Sequence, residues 1–162
     1  MPPSVRRTAL LGALLLSLPA AAEGARCLPL LAELTVRYVP CPGDFASPLG
    51  LCTAGTLRGL GGIVLGTSRF RALSAAPGAG LSPEVVSPNT LSYAGDLELT
   101  LPWGQLRVRD VGLSDGESAT FTELGQVLSG TGSLAGASGT LFVSGKSSAE
   151  GFSGTLTGQL CR

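Results

Sequence analysis

The sequence contains no histidine, and this absence removes several classes of functional site. Serine–histidine and cysteine–histidine catalysis both need an imidazole base, and histidine is the commonest side-chain ligand of transition metals. The four cysteines have no C-x-x-C spacing, so the clustered thiolates of a structural zinc site are missing as well. We therefore expect neither a metal site nor a cofactor.

Charge is also scarce. The 162 residues include a single lysine, and the 11 basic residues balance 11 acidic ones without forming a run of one sign. Nucleic acid and anionic membrane surfaces need a basic patch, so neither is an expected partner. The glycine-rich phrase at residues 130–136 lacks the lysine that follows the glycines of a phosphate-binding loop.

Long apolar runs are missing except near the start of the chain. Residues 9–18 are mostly apolar, follow Arg6 and Arg7, and lead through Pro19 to small residues ending at Ala22. A run of about ten residues is too short for the roughly 20 that span a bilayer. The pattern predicts a signal peptide at residues 1–22, a secreted or periplasmic protein and no transmembrane anchor in the mature chain.

The remaining residues, 23–162, suit a single domain. An even number of cysteines in an exported chain is typical of disulfides, and four cysteines allow three pairings. We favour Cys41–Cys52, which closes a short loop rich in proline and glycine, and this leaves Cys27–Cys161 to join the two ends of the domain. Attachment of a lipid at Cys27 is the competing interpretation, although Arg26 stands where a small residue is expected.

Short alternating segments fill the domain, and none has a helical period. Leu34, Val36 and Tyr38 alternate with polar residues, as do the apolar residues of 90–111 and 151–161. Period-two alternation is typical of strands with one buried face. Seven or eight such strands predict an all-β fold, and the proposed staple between the chain ends favours a closed antiparallel β-barrel of about eight strands. A parallel β-helix is the rival, and residues 75–87 are predicted to form a loop.

The clearest hairpin lies around a turn at residues 102–104. Matching the apolar faces of its strands pairs Leu101 with Leu106 and Leu99 with Val108. In this register, residues 102–105 form a four-residue connection between the two strands.

Without histidine, acid–base chemistry would fall to carboxylates. Asp110 continues the apolar face of Leu106 and Val108, and Glu123 continues the face of Phe121. Facing a narrow lumen, either group would have a raised pKa and could move a proton. We favour the other interpretation, in which each lies at a strand end where the alternation lapses and water reaches it.

Four residues with inward parity are candidates to contact a small apolar ligand in the lumen: Tyr93, Leu97, Val108 and Phe121. A barrel of about eight strands either fills with side chains or encloses one small ligand. The inward set is bulky enough to fill it, and comprises Leu34, Val36, Tyr38, Leu91, Tyr93, Leu97, Leu99, Leu106, Val108, Phe121, Phe152 and Leu156.

Four glycine phrases resemble those of a known family. Residues 130–145, GTGSLAGASGTLFVSG, resemble the GGTGxFxGAxG signature of allene oxide cyclase-like and dirigent-like barrels, and the chain looks most similar to the small exported bacterial proteins of that type. Residues 52–57, 93–95 and 151–161 resemble their CTxGxLxG, YxG and terminal GxFxGxxxGxxC phrases. Ser129 replaces a usual glycine, and Leu134 a common aromatic.

The resemblance implies an eight-stranded, calycin-like barrel whose lumen can hold a small apolar molecule. Plant members act as cyclases or guide radical coupling through polar lumen residues, and no motif assigns those residues here.

The leading hypothesis is an exported barrel that serves as a non-catalytic binding or structural module. The alternative is an isomerase or cyclase acting on a small apolar ligand in the lumen. A packed lumen would favour the first, and an open pocket containing Asp110 or Glu123 the second. A third hypothesis is an inhibitor or adhesin that presents residues 75–87 and Trp103.

Overall fold

The structure, a computed structural model, describes residues 26–78 and 88–162. Alternation of apolar and polar residues produces eight strands, as the sequence predicts. They are β1 (Cys27–Val39), β2 (Cys52–Arg58), β3 (Val64–Pro77), β4 (Thr90–Leu101), β5 (Gly104–Asp115), β6 (Thr120–Gly130), β7 (Ser138–Ser147) and β8 (Gly151–Cys161). Single-turn 3₁₀ helices lie at Gly43–Phe45, Leu60–Gly62 and Gly132–Leu134.

Each strand pairs antiparallel with the next strand in sequence, and β8 pairs with β1 to close the barrel. The predicted all-β, closed antiparallel barrel is therefore confirmed, and the parallel β-helix is excluded. Among the described strands closure leaves no edge unpaired, which removes the sites where open sheets associate. None of the helices in the described part of the chain has the length and hydropathy that a membrane span requires.

Both predicted disulfides are confirmed. Cys27 and Cys161 lie directly opposite each other in the β1–β8 pair, so this bridge crosses the seam where the barrel closes. Cys41 and Cys52 close the connection between β1 and β2. Because Cys27 is bonded to Cys161, it offers no thiol for a lipid.

The predicted register of the β4–β5 hairpin is wrong by two residues. Leu99 lies opposite Leu106, and Leu97 lies opposite Val108. Leu101 pairs with Gly104, so the turn contains two residues and not four. Side chains alternate with a period of two, and a two-residue shift therefore leaves the same residues on the apolar face.

The predicted loop at residues 75–87 begins later than expected. Strand β3 continues to Pro77, with Ala75 opposite Tyr93 and Ala76 opposite Ser92. An irregularity between Ala72 and Ser74 shifts the register and interrupts the alternation of apolar and polar residues in β3. The sequence pattern therefore does not show that the strand continues beyond this point. Residues 79–87 of this loop lie outside the described residues, as does the predicted signal peptide at residues 1–22.

The two ends of the barrel are built differently. At one end, the connection between β6 and β7 folds inward and buries Leu134 and Ala137. These side chains join Leu101, Leu106 and Val127 in the core, which fills this half of the lumen. We call this the closed end, and it carries the Cys27–Cys161 bridge.

The opposite end, called the open end, is bordered by the connection between β1 and β2. Phe45 of this connection is buried against the outer wall of the barrel, beneath two guanidinium groups. Arg69 and Arg71 lie 4.4 and 4.8 Å from the centre of its ring. These cation–π contacts fix the connection beside the opening.

Candidate functional site: a cavity in the lumen

A cavity of about 240 Å³ occupies the lumen at the open end. Of the four predicted ligand contacts, Tyr93, Leu97 and Phe121 line the cavity, and Val108 is buried deeper in the core. The predicted filling of the lumen therefore applies to the closed half only. The complete lining is Val36, Tyr38, Leu49, Leu51, Thr53, Phe70, Ala72, Ala75, Leu91, Tyr93, Leu97, Ser114, Phe121, Glu123, Ser147, Ser148 and Phe152.

Aromatic rings form much of this wall. Both tyrosines of the chain and three of its five phenylalanines line the cavity. Tyr38, Phe152 and Phe121 follow one another in edge-to-face contacts, with ring centres 5.4 and 5.1 Å apart. Phe70 and Tyr93 make a similar contact at 6.2 Å. The wall therefore consists of mutually supported rings, whose geometry is favourable for aromatic pairs.

Two leucines of the β1–β2 connection reach the cavity from outside the sheet. Leu49 and Leu51 contribute to its lining. Their position depends on Ser47, whose hydroxyl accepts hydrogen bonds from both of their backbone N–H groups and donates one of 2.6 Å to the Ala72 carbonyl. The disulfide-closed connection thus supplies an apolar border to the opening.

Tyr93 and Glu123 meet inside the lumen across a glycine. Tyr93 lies opposite Gly112 in the β4–β5 pair, and Gly112 lies opposite Glu123 in the β5–β6 pair. A Cβ atom at residue 112 would lie 2.5 Å from the Cζ atom of Tyr93, so the tyrosine ring covers the glycine. The phenol then donates a hydrogen bond of 2.6 Å to Oε1 of Glu123.

Asp110 occupies a second row, one step closer to the closed end. Its cross-strand neighbours are Gly95 on β4 and Gly125 on β6. The Phe70 ring lies over Gly95, and the Val108 side chain lies beside Gly125. The carboxyl group is consequently enclosed by apolar atoms, with 1% of the residue exposed, and no described N–H or O–H group donates to its Oδ1 atom.

The carboxyl groups of Asp110 and Glu123 share a hydrogen bond. Burial and the proximity of Glu123 raise the pKa of Asp110 to about 9. Burial also raises the pKa of Glu123, although the hydrogen bonds from Tyr93 and Asp110 partly offset that rise. Two buried carboxyl groups in contact cannot both ionise cheaply, so the pair retains a proton at neutral pH. Burial and Glu123 raise the pKa of the Tyr93 phenol far above its usual range.

The interpretation that we favoured for both carboxylates, a water-exposed strand end, is wrong. Asp110 lies in the middle of β5, and Glu123 is the fourth residue of β6 with its side chain turned into the lumen. Strict alternation continues through both positions. Burial of a lone carboxylate in a lumen costs free energy, which is why exposure was expected. A pair that shares a proton and a tyrosine hydrogen bond avoids most of this cost, so both side chains can face the lumen.

No lysine or arginine lines the cavity within the described part of the chain. The nearest arginines on these strands, Arg71 and Arg109, point outward and donate to Asp96. Among the described residues, no cluster of three or more histidine, cysteine, aspartate or glutamate side chains could hold a metal ion. The chemistry of the cavity is therefore that of a carboxyl pair, a phenol, a few hydroxyl groups and apolar walls.

A wider groove of about 600 Å³ lies on the outer face of the barrel, and its wall includes Ala94, Val111, Leu124 and Phe142. These four side chains lie opposite one another on consecutive strands and point to solvent. The groove is larger but shallow, and the ionisable groups beside it turn their side chains inward. We therefore take the enclosed lumen cavity as the candidate site.

Trp103 and the described part of residues 75–87, the two surface features of the third hypothesis, lie at opposite ends of the barrel. Trp103 is half-exposed in the β4–β5 turn, at the closed end. The described part of residues 75–87 belongs to the end of β3, which lies at the open end. Trp103 and these residues therefore lie on different ends of the barrel.

Several cavity residues have no counterpart among the predicted ligand contacts. Thr53, Phe70 and the two leucines of the β1–β2 connection were not among the predicted ligand contacts. Alternation in β3 could have identified Phe70, which shares a face with Ser68 and Ala72. No local pattern identifies Leu49 or Leu51, because a loop residue has no fixed parity.

Comparisons of the chain with protein-family models, with curated proteins and with solved structures found no match. Functional inference therefore depends on the chemistry of the cavity itself.

Proposed function

We propose that the protein is an exported, disulfide-stapled barrel that binds one small, largely apolar molecule in its lumen. The observation that carries this proposal is the aromatic cavity of about 240 Å³ with hydrogen-bonding groups on one wall. Concave, mostly apolar sites with a few convergent polar groups are typical of small-molecule binding. Two disulfides support an oxidising compartment, secreted or periplasmic.

The size and lining of the cavity limit the ligand. Its volume of about 240 Å³ lies below the range of roughly 300–1,000 Å³ that is typical of ligand pockets, so the occupant is a small molecule. Glu123 and Tyr93 offer hydrogen bonds to a polar group of the ligand, and the aromatic rings contact the rest.

We include in this proposal a relationship to allene oxide cyclase-like and dirigent-like barrels. It is supported by the glycine phrases of the sequence and by the closed, eight-stranded antiparallel architecture with an internal cavity. Since an architecture hosts many functions, the relationship adds no reaction by itself.

The proton held by Asp110 and Glu123 favours a second candidate function, an isomerase or cyclase acting on the bound molecule. In that role the Glu123 carboxylate would accept a proton from one position of the ligand and return it to another, so that the reaction needs no further reactant. A carboxyl pair with a raised pKa in an apolar site is suited to such transfer.

Native mass spectrometry of the protein from its own host, before and after denaturation, tests the binding function. We expect an additional mass that is lost on denaturation. Ala72→Leu, which places bulk inside the cavity, should abolish it. Ala76→Leu adds the same side chain on the outer face and should retain it. A bare polypeptide that also fails to bind indole or benzyl alcohol in an NMR titration would contradict the proposal.

A further inference from the structure

The lumen cavity combines two features, aromatic walls and a buried acidic pair. Five aromatic rings line a space of about 240 Å³, and Glu123 of the acidic pair lies at its wall. Binding of an apolar molecule requires no carboxyl group, and removal of each carboxyl group from water costs free energy. The pairing of rings with a carboxylate is the usual means of binding an ammonium group.

The charge of the acidic pair is not neutralised from within the protein. The side chains that face it are the phenol of Tyr93 on β4, the apolar groups around Gly95 and Gly125, and the apolar wall of the cavity. The four arginines of β3 and β5 lie on the outer face. Arg71 and Arg109 donate hydrogen bonds of 2.7 and 2.9 Å to Asp96, and Arg69 and Arg107 contact Glu98.

Hydrogen bonding favours Glu123 over Asp110 as the charged member of the pair. This side chain accepts a hydrogen bond from Tyr93 and shares another with Asp110, and donors favour the ionised form of the group that accepts them. Glu123 lines the cavity, whereas Asp110 lies behind it. An occupant therefore meets Glu123, the member of the pair that the hydrogen bonds favour as the carboxylate, and not Asp110.

We propose that the cavity selects a small organic cation, an ammonium group with an apolar body, placed against Glu123 and enclosed by Tyr38, Phe70, Tyr93, Phe121 and Phe152. This inference rests on the proposed binding function and adds the charge of the ligand to it. Cations are attracted to the faces of aromatic rings, and the attraction strengthens when water is excluded. An anionic ligand is disfavoured, because it would face the Glu123 carboxylate without a basic partner.

Two probes of equal shape and different charge test the inference. Choline carries a trimethylammonium group, and 3,3-dimethylbutan-1-ol has a neutral carbon in place of its nitrogen. We expect calorimetric titration of the oxidised protein to give an affinity for choline at least about tenfold higher than for the alcohol. The anion 3,3-dimethylbutanoate should bind more weakly than either.

Substitution of the acidic pair locates the effect. The double variant Asp110→Asn/Glu123→Gln removes the negative charge and keeps the shapes, so the preference for choline should fall to within about twofold of the alcohol. Both positions are changed because Asp110 could otherwise ionise in place of Glu123. Glu98→Gln makes the same chemical change on the outer face, where Glu98 contacts Arg69 and Arg107, and should leave the preference intact.

The outcomes separate the two proposals. If the alcohol binds as tightly as choline, the cavity binds apolar molecules and the inference about charge is overturned. If neither compound nor the anion binds the folded protein, both proposals fail. If the double variant does not fold, the comparison of the three probes with the unmodified protein still decides the question.

Discussion

At the scale of single residues, the environment of Asp110 determines its chemistry. Its carboxyl group lies between two glycines, touches Glu123 and has almost no contact with water. Asp96, one strand away and also buried, behaves in the opposite way. Burial raises the pKa of Asp96, but hydrogen bonds and charges from Arg71 and Arg109 outweigh this and leave its pKa below the usual value. The two aspartates show that partners, and not burial alone, set the protonation state.

The pH dependence of stability follows from the pKa of Asp110. Between the ordinary aspartate value of 3.8 and about 9, the unfolded chain releases a proton that the folded protein retains. This contribution to the free energy of unfolding is complete below the unfolded pKa and is lost as pH rises through the folded pKa. The Asp110→Asn variant lacks this titration. The difference in the free energy of unfolding between the variant and the wild type should therefore shift in favour of the variant by on the order of 1–3 kcal/mol between about pH 4 and about pH 8.

Urea unfolding followed by circular dichroism at the two pH values measures this difference. Asp96→Asn serves as a control with the opposite sign. Since the folded pKa of Asp96 is lowered, its contribution is present at neutral pH and is lost as pH falls through that pKa. A pH-independent effect of Asp110→Asn would indicate that the acidic pair does not hold its proton.

At the scale of structural elements, β4, β5 and β6 share a pattern that only their register makes visible. Each strand carries a polar side chain two residues before a glycine: Tyr93 and Gly95, Asp110 and Gly112, Glu123 and Gly125. Antiparallel pairing places each polar side chain beside the glycines of its neighbours. The glycines supply the room in which large polar groups cross the lumen and meet.

Gly112→Ala tests this arrangement. The added Cβ atom would lie 2.5 Å from Cζ and 2.7 Å from Oη of Tyr93, so the ring must move and its hydrogen bond to Glu123 is lost. We expect a loss of about 1–3 kcal/mol in the free energy of unfolding, measured with urea.

Gly43→Ala is the matched control, because a Cβ atom there has no neighbour within 4 Å. Its effect should stay within about 0.5 kcal/mol. Equal effects at residues 43 and 112 would mean that the tyrosine ring is not held over β5.

At the scale of the whole molecule, two disulfides constrain very different lengths of chain. The Cys27–Cys161 bridge spans 134 residues and closes the barrel at its seam, whereas Cys41–Cys52 spans 11 residues beside the cavity. Constraint of the unfolded chain grows with the length of the closed loop. The long bridge therefore supports global stability, and the short one chiefly positions the border of the opening.

Removal of each bridge by paired cysteine-to-serine substitution should separate these roles. The loop-entropy relation gives a loss of about 5 kcal/mol for the long bridge and about 3 kcal/mol for the short one. Urea unfolding checks the order of these values. Removal of Cys41–Cys52 should also weaken probe binding, because Leu49 and Leu51 lose part of their support, and a larger stability loss for the short bridge would contradict the assignment.

The sequence by itself determined the fold class, and it favoured the closed barrel and one of three possible disulfide pairings. Alternation fixes which face of each strand is apolar, an even cysteine count predicts two bridges, and a short loop rich in proline and glycine favours the local one. The alternation and the short loop are local features that a single sequence shows, whereas closure and the long bridge followed from pairing the two remaining cysteines.

Only the tertiary structure decided which side chains meet. With a four-residue turn, Asp110 would lie opposite Leu97, and Tyr93 would lie opposite Ser114. The observed two-residue turn places Asp110 beside Gly95 and Tyr93 beside Gly112. Both registers bury the same apolar residues, because the pattern repeats every two residues, and alternation cannot distinguish them. The cavity, the shared proton and the tyrosine hydrogen bond all depend on that choice, which is made by packing around the whole barrel.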